Sequence, residues 1–365
     1  MRLLIKGMGE GGEGLAEWGG RTVRVLHALP GEEVEAELLG EGVAVVREVL
    51  SPSPDRREPP CPLFPRCAGC QLQHLRYDKQ LEFKREKVER ALGRRVEPPL
   101  SGGELGYRNH ARLTARRGEV GFLNKLTGEF VRVDRCLLMT SQVNELLPRV
   151  QGRCFSTMVS LRVGVRTGEY LIQPNLFLQD LPTGQPFYHE VLLDRRFRIS
   201  ASSFFQTNTE GAEEMVRTVR EWIGSADRIL DAYAGVGTFA SLLSDLASEV
   251  LAVEASPSAE KDALHNLRGL PNVRFVRRRV EEVLPMEGLD VLLLDPPRQG
   301  CSERVIEAIN RSPPRRIVYV SCNPTTLGRD LARLRGFNLE RARPLDLFAQ
   351  TKHVECVALL ERTAE

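Results

Sequence analysis

Cys322 is the residue whose type and setting promise the most chemistry. It closes the apolar run Arg316-Ile-Val-Tyr-Val-Ser321 and lies in Ser321-Cys-Asn-Pro324, ahead of a helix predicted from Thr325 to Leu334. A thiol where a buried strand runs out faces the ligand-binding side of an α/β sheet. A helix N-terminus beside it lowers a thiol pKa and favours the thiolate. A single cysteine is more often a small buried hydrophobe, but the strand end and its polar neighbours favour a reactive thiol here. Lys352-His-Val-Glu-Cys-Val-Ala-Leu-Leu360 places a second candidate, Glu355, at the mouth of the last apolar strand. An acid there is costly if buried without a partner, and desolvation would raise its pKa and suit it to proton abstraction. The plainer reading is a solvated strand-end charge, and His353 is a competing base that sequence does not rank against Glu355.

A second group of residues has the pattern of a cofactor pocket. Arg228-Ile-Leu-Asp-Ala-Tyr-Ala-Gly-Val-Gly-Thr-Phe239 is an apolar strand running into an acid and then a glycine-rich turn. Gly235 and Gly237 permit a tight turn and close approach of a ligand to backbone. Glu254 ends the next strand, where a carboxylate can hold both ribose hydroxyls of an adenosine ligand. Asp295 ends a third strand and opens Asp-Pro-Pro-Arg-Gln-Gly300. A glycine turn alone is equally an ordinary strand–helix connection, but three acid-terminated strands in succession favour a cofactor. The turn lacks the third glycine of a dinucleotide fingerprint, so S-adenosylmethionine fits better than NAD. Ser200-Ala-Ser-Ser-Phe-Phe-Gln-Thr-Asn208 offers two aromatics beside Gln206, suited to stacking and hydrogen bonding, although alone it reads as an apolar linker.

The eight cysteines point to metal or catalysis rather than disulfides in a reducing compartment. Cys61, Cys67 and Cys70 form C-x5-C-x2-C. Thiolates suit zinc or iron–sulfur, and on spacing alone zinc is a fair rival.

Three stretches of chain must position these groups. Residues 1–52 read as short glycine-broken strands (Arg2–Lys6, Gly14–Trp18, Arg21–Leu26, Glu33–Leu39, Val43–Val49), a spacing that predicts a small β-barrel. The proline-rich stretch Ser51–Pro60 is a boundary. Residues 53–200 hold the clustered cysteines, an amphipathic and solvated helix at Tyr77–Leu92, and a mostly strand pattern from Tyr107 to Ile199. In residues 201–365 helices and strands alternate, which predicts a parallel doubly wound sheet with ligands beyond its strand ends.

Composition permits nucleic-acid binding without showing it. The net charge is only +2, from 51 basic and 49 acidic residues, but 44 of the basic residues are Arg. Arg forks onto phosphate and stacks on bases, and a GC-rich genome gives the same bias. The basic clusters Lys84-Arg85 with Arg94-Arg95, Arg116-Arg117 and Arg277-Arg278-Arg279 each read singly as a solvated face. No apolar run approaches the roughly 20 residues needed to span a bilayer. A cytoplasmic chain without membrane contact is expected.

Phe205-Gln-Thr-Asn208, Asp231-Ala-Tyr-Ala-Gly-Val-Gly237, Asp295-Pro-Pro-Arg298, Ser321-Cys-Asn-Pro324 and Gln350-Thr-Lys-His-Val-Glu355 together resemble the RNA 5-methyluridine (uracil-C5) methyltransferase family, over nearly the whole chain. The resemblance implies a Rossmann-like class I methyltransferase domain with a mixed seven-stranded sheet, behind a TRAM/OB-like barrel and a central, mainly β, RNA-binding domain. It implies Cys322 as nucleophile towards C6 of uracil and Glu355 as base. Gln206, Tyr233, Gly235, Gly237, Thr238, Glu254 and Asp295 would line the S-adenosylmethionine site; Thr238 stands where relatives commonly have asparagine. Cys61, Cys67, Cys70 and Cys136 match the family's four [4Fe–4S] ligands, with zinc the alternative. Members with both a TRAM-like domain and a cluster mostly act on 23S rRNA and some act on the tRNA T-loop, so 23S rRNA is the expected partner and a monomer the expected state. RNA cytosine-C5 methylation and a non-catalytic iron–sulfur RNA-binding protein are the rival readings.

Overall fold

The computed structural model describes residues 1–40 and 42–363; Glu41 in the expected first domain and Ala364 and Glu365 at the end of the third lie outside them. Residues Arg2–Ser51 make a six-stranded sheet ordered Arg2–Leu4, Glu33–Gly40, Val43–Ser51, Arg21–Leu26, Gly14–Trp18, Gly7–Met8. Its two edge strands are consecutive in the chain. Between them, Ile5 N donates to Glu32 O (2.9 Å) and Lys6 N to Leu15 O (2.8 Å). One opening segment thus serves both edges and curls the sheet round Leu3, Ile5, Val23, Val25 and Val34.

The central part is a five-stranded antiparallel sheet ordered Phe130–Arg132, Glu119–Leu123, His110–Arg116, Met158–Val163, Tyr170–Gln173. A helix, Ser141–Val150, covers its buried face, where the strand-dominated pattern had predicted none. Val143, Leu146, Leu147 and Val150 are its buried residues, at helical spacing, and Thr140 caps it by accepting from Val143 N. Pro148 lies within it, where it removes the bond that a backbone N–H would make to the Asn144 carbonyl. Also absent from the sequence reading is the strand Phe187–Leu192, paired with Arg195–Ser200 through a two-residue turn. Both turn residues, Leu193 and Asp194, have positive φ (46° and 63°). That turn ordinarily carries Asn-Gly, so its signal was hidden.

The C-terminal half is one mixed sheet. Its order is Val273–Arg277, Ala247–Glu254, Ala226–Ala232, Val291–Leu294, Arg316–Ser321, Glu355–Arg362, Phe337–Asp346, Leu100–Ser101. The first five are mutually parallel; Glu355–Arg362 runs antiparallel to both its neighbours. The sheet is thus mixed, as the family resemblance implies and not parallel as alternation alone predicts, and the two residues Leu100–Ser101 make an eighth strand where seven were expected. Both faces are apolar: Val291, Leu293 and Val318 pack on one side, and Leu292, Leu294 and Ile317 on the other. The helix Tyr77–Leu92 is less solvated than its charges suggest. It buries Phe83, Lys84 and Val88, and Val88 joins the core of the second face. It meets the helix Pro324–Arg333 so closely that a Cβ on Gly328 would lie 2.2 Å from Ala91 O. Lys84, a candidate phosphate contact in the sequence, is instead buried in an ion pair with Asp346 (2.5 Å). Among the described residues no helix is long and apolar enough to cross a membrane.

Candidate active site

The reversed strand explains the central juxtaposition. Cys322 follows a strand that points up the sheet, whereas Glu355 begins one that points down. Their register pairs Ser321 with Cys356, so the next positions, Cys322 and Glu355, stand opposite each other at the carboxyl ends of the parallel strands. Both line a cavity of about 520 Å³, together with Gln206, Tyr233, Gly235, Thr238, Glu254 and Asp295. Eight of the nine residues expected of the nucleophile, base and cofactor site are thereby brought together. Gly237 lies behind them: with φ of 82° it caps the helix Thr238–Leu242, and a Cβ there would press on Leu267 at 3.2 Å.

Each wall has a local cause. Tyr233 turns the chain out of its strand at φ 67°, a conformation that costs a non-glycine residue. Gly235 N donates to Glu254 Oε2 (3.0 Å), and Ala255 N and Ser256 N donate to Oε1 (2.8 and 2.7 Å). These bonds fix the Glu254 carboxylate at the strand end. The loop bearing Gln206 is tied down by buried Asp262, which accepts from Ser200 N (2.7 Å), Ser203 Oγ (2.6 Å) and Arg198 Nη1 (2.6 Å). Of the two aromatics in that loop, Phe205 is buried against Phe197, whereas Phe204 is 71% exposed at the cavity and free to meet a planar group.

The electrostatics are those of a desolvated acidic pocket. Burial, with Asp295 adding to it, pushes the Glu355 carboxyl up to about 8. Burial alone lifts Asp295 to about 7. Burial lifts Asp231 to about 7 as well, against the donated hydrogen bond from Ala240 N. The Cys322 thiol is raised to about 11 by burial and then by Glu355 and Asp295, with Arg298 opposing. This reverses the expectation of a thiol acidified by its helix. Desolvation and the two acids raise it by more than Arg298 and a backbone hydrogen bond lower it. The rival base His353 is absent from the cavity wall, and burial with Arg298 and Lys352 nearby depresses it to about 4.

Sequence reasoning overlooked Arg298 as an acting group. It lines the cavity and is the charge that favours the thiolate; its position beside Asp295-Pro-Pro was the available signal. The apolar lining from Leu192, Met215 and Phe239 was also missed, because those residues read as ordinary core.

The four cysteines Cys61, Cys67, Cys70 and Cys136 line a separate cavity of about 220 Å³, with Arg108, Arg112 and Arg135 on its walls. Cys61 N donates to Gln73 Oε1 (3.1 Å) and Cys136 N to Asn144 Oδ1 (2.9 Å), which fixes the backbone at two of them. Burial raises Cys67 and Cys136, and Cys70 to about 12. Among the described residues no three His, Cys, Asp or Glu side chains close into a metal-binding group. The thiols share a cavity; they do not form a tight ligand set.

A strand-end pocket holding three acids above a mostly parallel, doubly covered sheet defines a Rossmann-like, nucleotide-cofactor-binding enzyme fold. The comparisons specify it further. A family model described as tRNA (Uracil-5-)-methyltransferase matches residues 285–363. An uncharacterized RNA methyltransferase of Gloeobacter violaceus is 35% identical over 98% of this chain and 96% of its own. One from Halalkalibacterium halodurans is 31% identical over 99% and 96%. The crystal structure of Pyrococcus abyssi tRNA (uracil-54, C5)-methyltransferase, in complex with S-adenosyl-L-homocysteine, is 29% identical, covers 99% of this chain and 100% of that one, and superposes with a TM-score of 0.84. The chain belongs to the RNA uracil-C5 methyltransferase family and is an enzyme of the methyltransferase class.

Proposed function

We propose that the protein methylates C5 of a uridine in RNA, with Cys322 as nucleophile, S-adenosylmethionine as methyl donor and Glu355 as base. The observation that carries this reading is the meeting of Cys322, Glu355 and Asp295 with Gln206, Tyr233 and Glu254 in one cavity. C5 of uracil attacks a methyl sulfonium poorly. Addition of the Cys322 thiolate to C6 makes C5 enolate-like, so one hard step becomes two easier ones. After methyl transfer, C5 carries a methyl and a proton. Glu355 takes the proton, the C5–C6 double bond re-forms and the C6–S bond breaks. A stacked uridine cannot reach this depth and is flipped out or already unpaired, with the exposed Phe204 ring placed to stack on it. Cytosine methylation by the same thiol addition is the rival reaction, and it would want an acid at N3/N4 of the base.

The RNA we propose is 23S rRNA, in line with the pairing of an N-terminal β-barrel with a four-cysteine site. The tRNA T-loop is the second reading, favoured by the tRNA enzyme that superposes over the whole chain. Cys61, Cys67, Cys70 and Cys136 would hold a [4Fe–4S] cluster, or zinc, and their thiols suit soft metals. Such a group would brace this region or place RNA, since the chemistry above needs no electron. The experiment is to incubate the protein with tritiated-methyl S-adenosylmethionine and RNA from a strain lacking it, beside Cys322→Ala, and to identify the labelled nucleoside. Label in 5-methyluridine that Cys322→Ala abolishes is the expected result. Label in 5-methylcytidine, or label that survives the substitution, overturns it. Transcripts of 23S rRNA and of tRNA assayed separately decide between the two RNAs.

A further inference from the structure

Five residues ahead of Glu355 stands Gln350, which has no part in the chemistry above and does not line the cavity. It is fully buried and has φ of 67°, a backbone conformation that persists in a non-glycine residue only when its surroundings impose it. Those surroundings are dense. Gln350 N donates to Gln80 Oε1 (3.0 Å), and Gln80 Nε2 donates back to Gln350 Oε1 (3.0 Å). The same Oε1 accepts from Arg57 Nη2 (3.0 Å), while Gln350 Nε2 donates to Glu104 Oε1 (3.1 Å). The Gln350 carbonyl accepts from Gln71 N and Leu72 N, both at 3.0 Å. Alongside, Tyr107 OH donates to Ala349 O (2.9 Å) and Lys87 Nζ to Lys352 O (3.2 Å). Every polar atom of Gln350 is used, and every partner comes from residues 57–104. Five residues later the chain enters the strand that carries Glu355 at its first position.

We propose that Gln350 is a positioning residue for Glu355: its clasp on the N-terminal segments sets how the chain enters the last strand, and so where the carboxylate sits in the cavity. The inference rests on the reading of Glu355 as the base. Thiolate addition to C6 and methyl transfer to C5 do not require that carboxylate. The final step does: the C5 proton passes to Glu355, its electron pair makes the C5–C6 double bond, and the C6–S bond breaks to free Cys322. A base displaced from hydrogen-bond reach slows that step alone, and the methylated RNA stays joined to the protein.

The test uses the full chain, Gln350→Ala and Gln80→Ala, each incubated with tritiated-methyl S-adenosylmethionine and unfractionated RNA from a strain lacking the protein. Circular dichroism gives the folded fraction of each. Expected for both variants is a turnover per folded molecule lower by about 10- to 100-fold, the loss an ångström-scale misplacement brings. Label then remains in the protein band after denaturation, and KM for S-adenosylmethionine stays within about twofold. The Gln80 variant leaves residue 350 intact, so it still reports if Gln350→Ala does not fold. A fall in rate that only tracks the folded fraction, with no label in the protein band, makes Gln350 a packing residue and overturns the proposal. A wild-type protein that forms no Cys322-dependent 5-methyluridine overturns the underlying reading, and this one with it.

Discussion

Glu355 and Cys322 begin in the wrong protonation states for their proposed work: at neutral pH the first is largely a neutral acid and the second a thiol. Two predictions follow from the directions of these shifts. A base must be ionised, so turnover should rise with pH through about 8, where wild-type Glu355 titrates; a rate flat from pH 6 to 9 would remove Glu355 from that role. The stability sign is the opposite. The folded state holds the Glu355 proton above the ordinary carboxylate range while the unfolded chain has lost it, so the folded protein binds more protons and loses stability as pH rises from about 5 to about 8. Glu355→Gln removes this cost: its melting temperature should exceed wild type at pH 8 and converge with it near pH 5. The thiol gives a third test. Alkylation of Cys322 by iodoacetamide in the free protein should be slow at pH 7.5 and keep accelerating towards pH 11. A thiolate already formed at pH 7 would mean that the helix N-terminus wins over the acids after all. That balance was beyond the sequence, since Asp295, Cys322 and Glu355 are far apart in the chain and only the fold stacks their charges.

At the scale of elements, local periodicity carried the reading well where strands and helices alternate. The predicted strands beginning at Gly14, Arg21, Glu33 and Val43, and the helix Tyr77–Leu92, start where the structure starts them. Apolar runs bounded by glycine and proline leave little choice there. What escaped had its signal disguised: a helix with Pro148 in it, and a hairpin whose left-handed turn is Leu193-Asp194. Pairing direction was equally hidden. Nothing local in Val354–Leu360 says that it runs against its neighbours, yet that reversal is what sets Glu355 across from Cys322. The tight crossing of Tyr77–Leu92 on Pro324–Arg333 makes a prediction at this scale. Gly328→Ala would drive a methyl group to 2.2 Å from Ala91 O, so the helices must part. Overpacking of this kind costs about 1–3 kcal/mol, and should appear as a lower denaturant midpoint with the m-value unchanged. An unaltered midpoint would show that the crossing is looser than its geometry.

At the scale of the whole molecule, the chain is divided less cleanly than its sequence suggests. A boundary near residue 200 places Tyr77–Leu92 and Leu100–Ser101 outside the catalytic half. Yet Val88 packs into that half's core, Leu100–Ser101 extends its sheet beside Leu345–Asp346, and Lys84 is sealed in an ion pair with Asp346. Asp346 also accepts from Tyr77 OH (3.0 Å) and from Phe348 N (3.2 Å). Removing Lys84 and Tyr77 would leave a carboxylate in an apolar setting without its cation, which costs several kcal/mol. A fragment of residues 201–365 should therefore melt without a cooperative transition and fail to bind S-adenosylmethionine. A fragment of residues 53–365 keeps those contacts. It gives up the barrel, including the buried Glu32 that pairs with Arg56 (2.5 Å), but Arg56 is itself partly exposed and can turn to water. This longer fragment should melt cooperatively and bind the cofactor, as calorimetry and equilibrium dialysis would show. If residues 201–365 fold and bind cofactor unaided, the N-terminal helix is a passenger on the sheet. The distance between the two outcomes measures how far residues 53–101 belong to the catalytic core.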